Sequence, residues 1–163
     1  MTANLNIRRS EAKDTAAIGD LIVDIQRREF GFSITLEDQP DLSDIDGFYR
    51  TGDGDFWLAE AGDEVVGSIA LVDIGDGQAA LRKMFVKPGF RGQQTGIAKN
   101  LLDTLLEHAR KRKFSTIILG TTPKFLAAHR FYEKNGFVRV EAEALPASFP
   151  RMAVDEYFYQ LDL

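Results

Sequence analysis

Cysteine is absent from the 163 residues. Its absence excludes disulfides, thiolate zinc sites and a cysteine nucleophile together. Long hydrophobic runs are missing too: none approaches the roughly 20 residues needed to span a bilayer. The opening stretch MTANLNIRRSEAKD has no apolar core of the kind a secretory signal carries. These absences point to a soluble, cytoplasmic protein with no membrane partner. An excess of positive charge is also lacking, since the net charge is −5. A broad electrostatic grip on nucleic acid is therefore not expected. DGD at 53–55 and GDG at 75–77 lack the remaining ligands of a calcium loop, so both read as turns and no metal is expected.

What is present suits one domain with a real core, since 44% of the residues are apolar and 28% charged. Residues 1–163 contain no internal repeat or linker and read as a single domain. LNIRR alternates like a strand. Asp14 is placed to cap a helix whose stripe is Ala17, Ile18, Leu21, Ile22 and Ile25. A short helical piece follows near Ile45, Phe48 and Tyr49. FWLAEA and EVVGSIALVDI read as a hairpin turning at Gly62-Asp63, and AALRKMFV as the next strand of an antiparallel meander. Ile97, Leu101, Leu102, Leu105, Leu106 and Ala109 then mark the apolar face of a long helix. STIILG is a β-branched strand. A helix starting near Pro123 runs through Tyr132 to a stop at Asn135-Gly136, and two strands follow. The order predicts an α+β fold, with a central mixed, mostly antiparallel sheet flanked by helices.

Charge is distributed unevenly. Residues 37–46, EDQPDLSDID, hold five carboxylates and no cation, whereas residues 82–91, RKMFVKPGFR, hold four cations and no acid. The second run leads into FRGQQTGIAKNLL, where glycines leave backbone open at the start of a helix. Helix N-termini present unpaired N–H groups and a partial positive charge, so a phosphate or pyrophosphate is one ligand this stretch suits; a tight strand-to-helix turn is the other reading. It is neither a Walker A loop nor a dinucleotide fingerprint, because no Gly-Lys-Ser/Thr follows and a meander precedes it.

Residues 80–140 resemble the GCN5-related N-acetyltransferase (GNAT) superfamily, through MFVKPGFRG, the loop and helix after it, and AAHRFYEKNGF. The element order agrees with the GNAT fold. The family's loop pattern, Gln/Arg-x-x-Gly-x-Gly/Ala, fits with Gln93, Gly96 and Ala98 in register, which puts Leu101 and Leu102 on the buried face and implies a loop longer than the common form. The resemblance implies that Arg91, Gly92, Gln93, Gln94, Thr95, Gly96, Ile97 and Ala98 cradle the pyrophosphate of acetyl-CoA, the acyl-donor substrate. It also implies a bulge in the preceding strand, where the backbone of Met84, Phe85 and Val86 would hold the pantetheine arm and thioester.

Tyr132 matches the family's frequent general acid: a phenol of pKa about 10 stays protonated at neutral pH and can supply a departing thiolate, whose thiol pKa is about 8.5. His129 shares the helix face of Tyr132 and is placed as a possible proton relay. Phe125 stands where many relatives carry a cofactor-binding asparagine, and Ala80 where many carry a glutamate base. Candidates for the base are therefore Glu37, Asp38, Asp41, Asp73 or a water chain. The segment from Phe30 to Tyr49 corresponds to the acceptor side, so Glu37, Asp38, Tyr49 and Asp73 are the candidate substrate residues, and the acidic stretch suggests a cationic amine. The reading is an N-acetyltransferase working by direct attack in a ternary complex on a small-molecule or protein amine; a homodimer is possible, as in many relatives. A non-catalytic acyl-CoA-binding sensor or interaction module is the alternative.

Overall fold

The alternation along residues 55–61 becomes a strand covered on both faces. Phe56 and Leu58 face one set of helices, and Trp57, Ala59 and Ala61 face the other, as the two-residue period of a strand requires. The computed structural model describes residues 5–29, 31–92, 95–123, 126–152 and 155–163. Its strands are β1 (Leu5–Arg9), β2 (Asp55–Ala61), β3 (Glu64–Gly75), β4 (Gln78–Val86), β5 (Thr116–Thr121), β6 (Val138–Val140) and β7 (Tyr157–Asp162). Its α-helices are α1 (Thr15–Asp24), α2 (Ile45–Tyr49), α3 (Ile97–Lys111) and α4 (Leu126–Lys134). The expected helix start near Pro123 adjoins residues 124–125, which lie outside the described residues.

The strands form one seven-stranded sheet in the order β1-β2-β3-β4-β5-β7-β6. Every pairing is antiparallel except β4 with β5. Ile18, Ile22, Leu42, Ile45 and Tyr49 pack on one face of the sheet. On the other, α3 buries Ile97, Leu101, Leu102, Leu105, Leu106 and Ala109, the stripe its sequence spells out. Full burial of one such leucine or isoleucine contributes about 1.5–3 kcal/mol. A smaller cluster of Ala80, Ile118, Phe149 and Phe158 holds residues 142–149 against the sheet.

Asp14 departs from its expected role. It precedes α1, but its side chain caps nothing there. Instead its carboxylate accepts two bonds from the Arg8 guanidinium, at 2.8 and 2.9 Å, and one from the Glu11 N–H at 2.8 Å. A bidentate, charge-assisted pair outcompetes a single capping bond. The same pairing holds the Asp14 carboxyl below its ordinary pKa.

Two irregularities in β4 position the site. The ladder between β4 and β5 covers only Gln78–Ala80 against Thr116–Ile118. Beyond Ala80 no strand of the described residues pairs with that edge. On the β3 side, Ser68 opposes Phe85 while Ala70 opposes Arg82, so β4 carries an extra residue there. Lys83, at φ 55°, absorbs it in left-handed backbone that non-glycine residues seldom adopt. The Ser68 hydroxyl donates to the Lys83 carbonyl at 2.7 Å and fixes the bulge.

Candidate active site

Where β4 and β5 part, a cavity of about 500 Å³ opens. Its walls include Leu81, Arg82, Lys83, Met84 and Phe85 of β4, Leu119, Gly120 and Thr121 of β5, and Ala128 and Tyr132 of α4. The segment after α1 contributes Phe32, Ser33, Ile34 and Asp38, and the loop before β7 contributes Phe149, Met152 and Asp155. The cavity thus joins the strand edge expected to hold an acyl arm to the segment expected to hold an acceptor.

Tyr132 has its ring fixed among Phe131, Phe137 and Tyr159. Burial pushes its phenol pKa above the ordinary value. Its hydroxyl makes no hydrogen bond to the described residues, so a proton carried on the wall of the cavity is uncommitted. His129 goes elsewhere. Its Nε2 is 2.9 Å from the Thr122 carbonyl, its ring packs edge-on against Tyr157 and Tyr159, and it is not part of the wall.

The glycine-rich loop continues from the end of β4. Gly92 and Gly96 take φ of 105° and 67°, backbone that a side chain would strain. The Thr95 hydroxyl donates to the Phe90 and Gly92 carbonyls at 2.8 and 3.0 Å, drawing the loop into a turn. Gly96 stands at the N-cap of α3, and no side chain caps the helix. Ile97 is itself core, so only its backbone could serve a ligand, and Ala98 is half-buried. Gln93 and Gln94 lie outside the described residues, as does Phe125.

Of the four cations near the loop, Lys87 pairs with Glu64 and the Arg91 guanidinium with Glu29. Arg91 Nε also donates to the Val86 carbonyl at 2.7 Å. Arg82 and Lys83 line the cavity instead. Lys83 Nζ donates to Gln39 Oε1 at 2.7 Å and lies 3.5 Å from Asp41. Gln39 and Gln26 exchange amide bonds at 2.9 and 3.1 Å, and the Tyr49 hydroxyl donates to Asp41. Desolvation brings Lys83 down to about 8 despite Asp41. The Arg82 guanidinium lies 5.6 Å from the Phe48 ring and 3.2 Å from Met152 Sδ, and it forms no salt bridge with the described residues.

The acidic stretch does not act as one surface. Glu37 is exposed and outside the cavity wall, and Asp41 is committed to Tyr49 and Lys83. Asp38 reaches the wall, but one of its oxygens accepts both the N–H and the hydroxyl of Thr35 at 3.0 Å. Tyr49 is core, fully buried against Phe56, so it is corrected as a substrate residue. Asp73 is corrected likewise: it accepts the N–H groups of Asp53 and Gly75 in turns away from the cavity wall. Ala80 is buried with Ile118, Phe149 and Phe158, an apolar setting for any base.

Sequence reasoning missed Asp155, Thr121 and Met152, and it assigned Arg82 and Lys83 only to the loop's charge. Two successive cations in an otherwise apolar strand were the one signal of the bulge, because a regular strand would send them to opposite faces.

The strand edge freed from its neighbour leads into a glycine loop and an uncapped helix start, an arrangement open to an anionic ligand. The chain belongs to the acetyltransferase (GNAT) family, whose sequence pattern matches residues 5–137. It is similar to the N-acetylaspartate synthetase of Danio rerio, 37% identical over 126 residues, 74% of this chain and 44% of that protein. The chain spans less than half the length of the synthetases it matches. A GNAT-family acetyltransferase from Staphylococcus aureus Mu50 superposes with a TM-score of 0.92 at 36% identity, over 98% of this chain and 99% of that one. The PaiA N-acetyltransferase of Thermoplasma acidophilum, solved with coenzyme A, shares the fold at a TM-score of 0.75 and 17% identity, over 98% and 99% of the two chains. Acetyl-CoA is the donor in this family. The open left-handed glycines, the uncapped α3 and the unpaired edge of β4 fit such a ligand. Among the described residues there is no metal-binding cluster, and no helix is long and apolar enough to cross a membrane.

Proposed function

We propose that the chain acetylates the amine of a small acceptor that also carries a carboxylate. One observation carries this reading: the Arg82 guanidinium borders the cavity and, although its charge reaches Asp155, it forms no salt bridge among the described residues. A cation held on a wall between an aromatic ring and a thioether is matched by an anionic group of the ligand, with which guanidinium forms paired bonds. The N-acetylaspartate synthetases among the relatives are named for a product with this chemistry. The reading replaces the cationic amine that the acidic stretch suggested.

Acetyl-CoA supplies an acetyl thioester. Gly92, Thr95, Gly96 and the first N–H groups of α3 would take its pyrophosphate, with Gln93 and Gln94 completing the loop. The backbone of Met84, Phe85 and Val86 would align its arm along β4. Tyr132, kept protonated by burial, donates its proton to the departing thiolate. No cysteine is available for a thiol acyl-enzyme, which supports direct attack by the amine in a ternary complex.

The test is thiol release from acetyl-CoA against amino acids, their decarboxylated counterparts and polyamines. Arg82→Gln should raise KM for the carboxylate-bearing amines at least tenfold while changing KM for acetyl-CoA less than twofold. Equal turnover of decarboxylated acceptors, with no effect of Arg82→Gln, would reject the acceptor class. Acetyl-CoA binding with no turnover on the whole panel would favour the acyl-CoA-binding module.

A further inference from the structure

An ammonium group must lose a proton before it can attack, and β4 carries no carboxylate to receive it. The described cavity wall offers two carboxylates, Asp38 and Asp155. Asp38 is exposed and serves a local turn through Thr35. Asp155 is 8% exposed and belongs to the loop that runs into β7. One of its oxygens accepts the Met152 N–H at 2.9 Å, and the other has no hydrogen-bond partner among the described residues.

The fold is shaped around this carboxylate. A Cβ built on Gly120 would come within 2.5 Å of Asp155 Oδ2 and 2.7 Å of its carboxyl carbon. Only glycine at that position of β5 admits Asp155 so close to the strand. Gly120 and Thr121 belong to the wall that Tyr132 shares, so Asp155 and the proposed acid border one space.

We infer that Asp155 is the general base that takes the proton from the acceptor's ammonium group, an inference that rests on the acetyltransfer reading above. In this step an N–H bond of the ammonium breaks and an O–H bond forms on Asp155, leaving a neutral amine. The amine nitrogen then bonds to the acetyl carbon as the carbon–sulfur bond breaks. Tyr132 gives its proton to the sulfur and recovers the second proton that the nitrogen sheds. Asp155 returns its own proton to solvent, so each turnover releases one.

Burial raises the Asp155 pKa above the ordinary carboxylate value, which brings its basicity nearer to that of an amine; the Met152 N–H and then the charges of Arg82 and Arg151 oppose the rise. Across the cavity wall the other ionisable groups are Lys83, Asp38 and Tyr132.

The experiment measures kcat/KM against pH for the wild type, Asp155→Asn and Asp155→Glu. Acetyl-CoA calorimetry is run on each, and the Asp155 carboxyl of the wild type is titrated by carbon NMR. The expected result is a fall of at least 100-fold for Asp155→Asn at pH 7, with acetyl-CoA affinity within twofold. Its residual rate should climb with pH as free amine accumulates, and Asp155→Glu should recover part of the loss. The acid limb of the wild-type profile should coincide with the NMR titration of Asp155. Retention of the wild-type rate or acid limb in Asp155→Asn overturns the assignment. So does an NMR titration away from the acid limb, which decides the matter on the wild type should the variants fail to fold. An unchanged response to Arg82→Gln alongside a lost acid limb would reject only the acceptor class. No turnover on any amine overturns both readings.

Discussion

Lys83, Gln39, Gln26, Asp41 and Tyr49 form one network of hydrogen bonds and an ion pair, reaching the cavity wall at Gln26 and Lys83. Arg82, one residue earlier, forms no salt bridge among the described residues, and Tyr132 and one oxygen of Asp155 have no protein hydrogen bond there. The first group is a closed network that fastens the 34–49 segment to β4. The second leaves its polar atoms to a ligand. The bulge at Lys83 separates the two, because an extra residue re-aims the side chains on either side of it. A satisfied network should govern stability, and uncommitted groups should govern rate.

Tyr132→Phe is the strongest way to break this division. Its hydroxyl has no hydrogen-bond partner among the described residues, so the melting temperature should stay within a degree or two while kcat falls about 100-fold or more. Thiol release beside calorimetry of acetyl-CoA checks both halves. A large loss of stability would show that the phenol belongs to the structural group.

Lys83→Met should do the reverse to the fold. It leaves Asp41 buried without its cation and should cost about 3 kcal/mol by denaturant unfolding, with Lys83→Met/Asp41→Asn recovering much of the loss. The sign of the pH dependence sharpens the test. Lys83 is brought from 10.5 to about 8 in the fold, so between these values the unfolded chain binds more protons. Stability therefore rises with pH across that window in the wild type, because the folded state sheds a charge it holds at a disadvantage. The variant should lack this rise.

Thr121→Val is the smallest and most discriminating change. The Thr121 hydroxyl is the one fully buried side-chain polar atom without a partner among the described residues. Replacing it with a methyl of similar shape should raise stability by about 1 kcal/mol. A clear loss would mean that the hydroxyl has a partner after all.

The helix stripes, the hairpins and the order of elements were legible because periodicity reports which side of an element is buried, although Ala17, expected in the α1 stripe, is exposed. The α3 stripe from Ile97 to Ala109 is the clearest case. The motif FYEKNGF singled out Tyr132, and the structure sets it on the cavity wall with its ring against Tyr159 of β7. The acceptor side was not legible from charge. EDQPDLSDID contains five acids, but composition does not say that Asp41 turns inward to Tyr49 while Glu37 stays in solvent. His129 illustrates the same limit: helical spacing places it on the face of Tyr132, and the Thr122 carbonyl then draws its ring away. Asp155 was hidden for a different reason. It lies in a loop without periodicity, and its meaning depends on the bare backbone of Gly120, which the chain separates from it by a helix and a strand.

The strand order also ties the last strand to the site. β7 follows β6 in the chain but lies between β5 and β6, so β6 is joined to the sheet only through β7. Asp155 stands just ahead of β7, and the Glu156 N–H donates to the Thr121 carbonyl at 2.9 Å as the loop enters the strand. The strand that joins β6 to the sheet therefore also brings the carboxylate to Gly120. The first five strands and α4 carry the parted strand edge and Tyr132, and the carboxylate proposed as base enters only with the chain that leads into β7. Chemical competence arrives with the keystone strand.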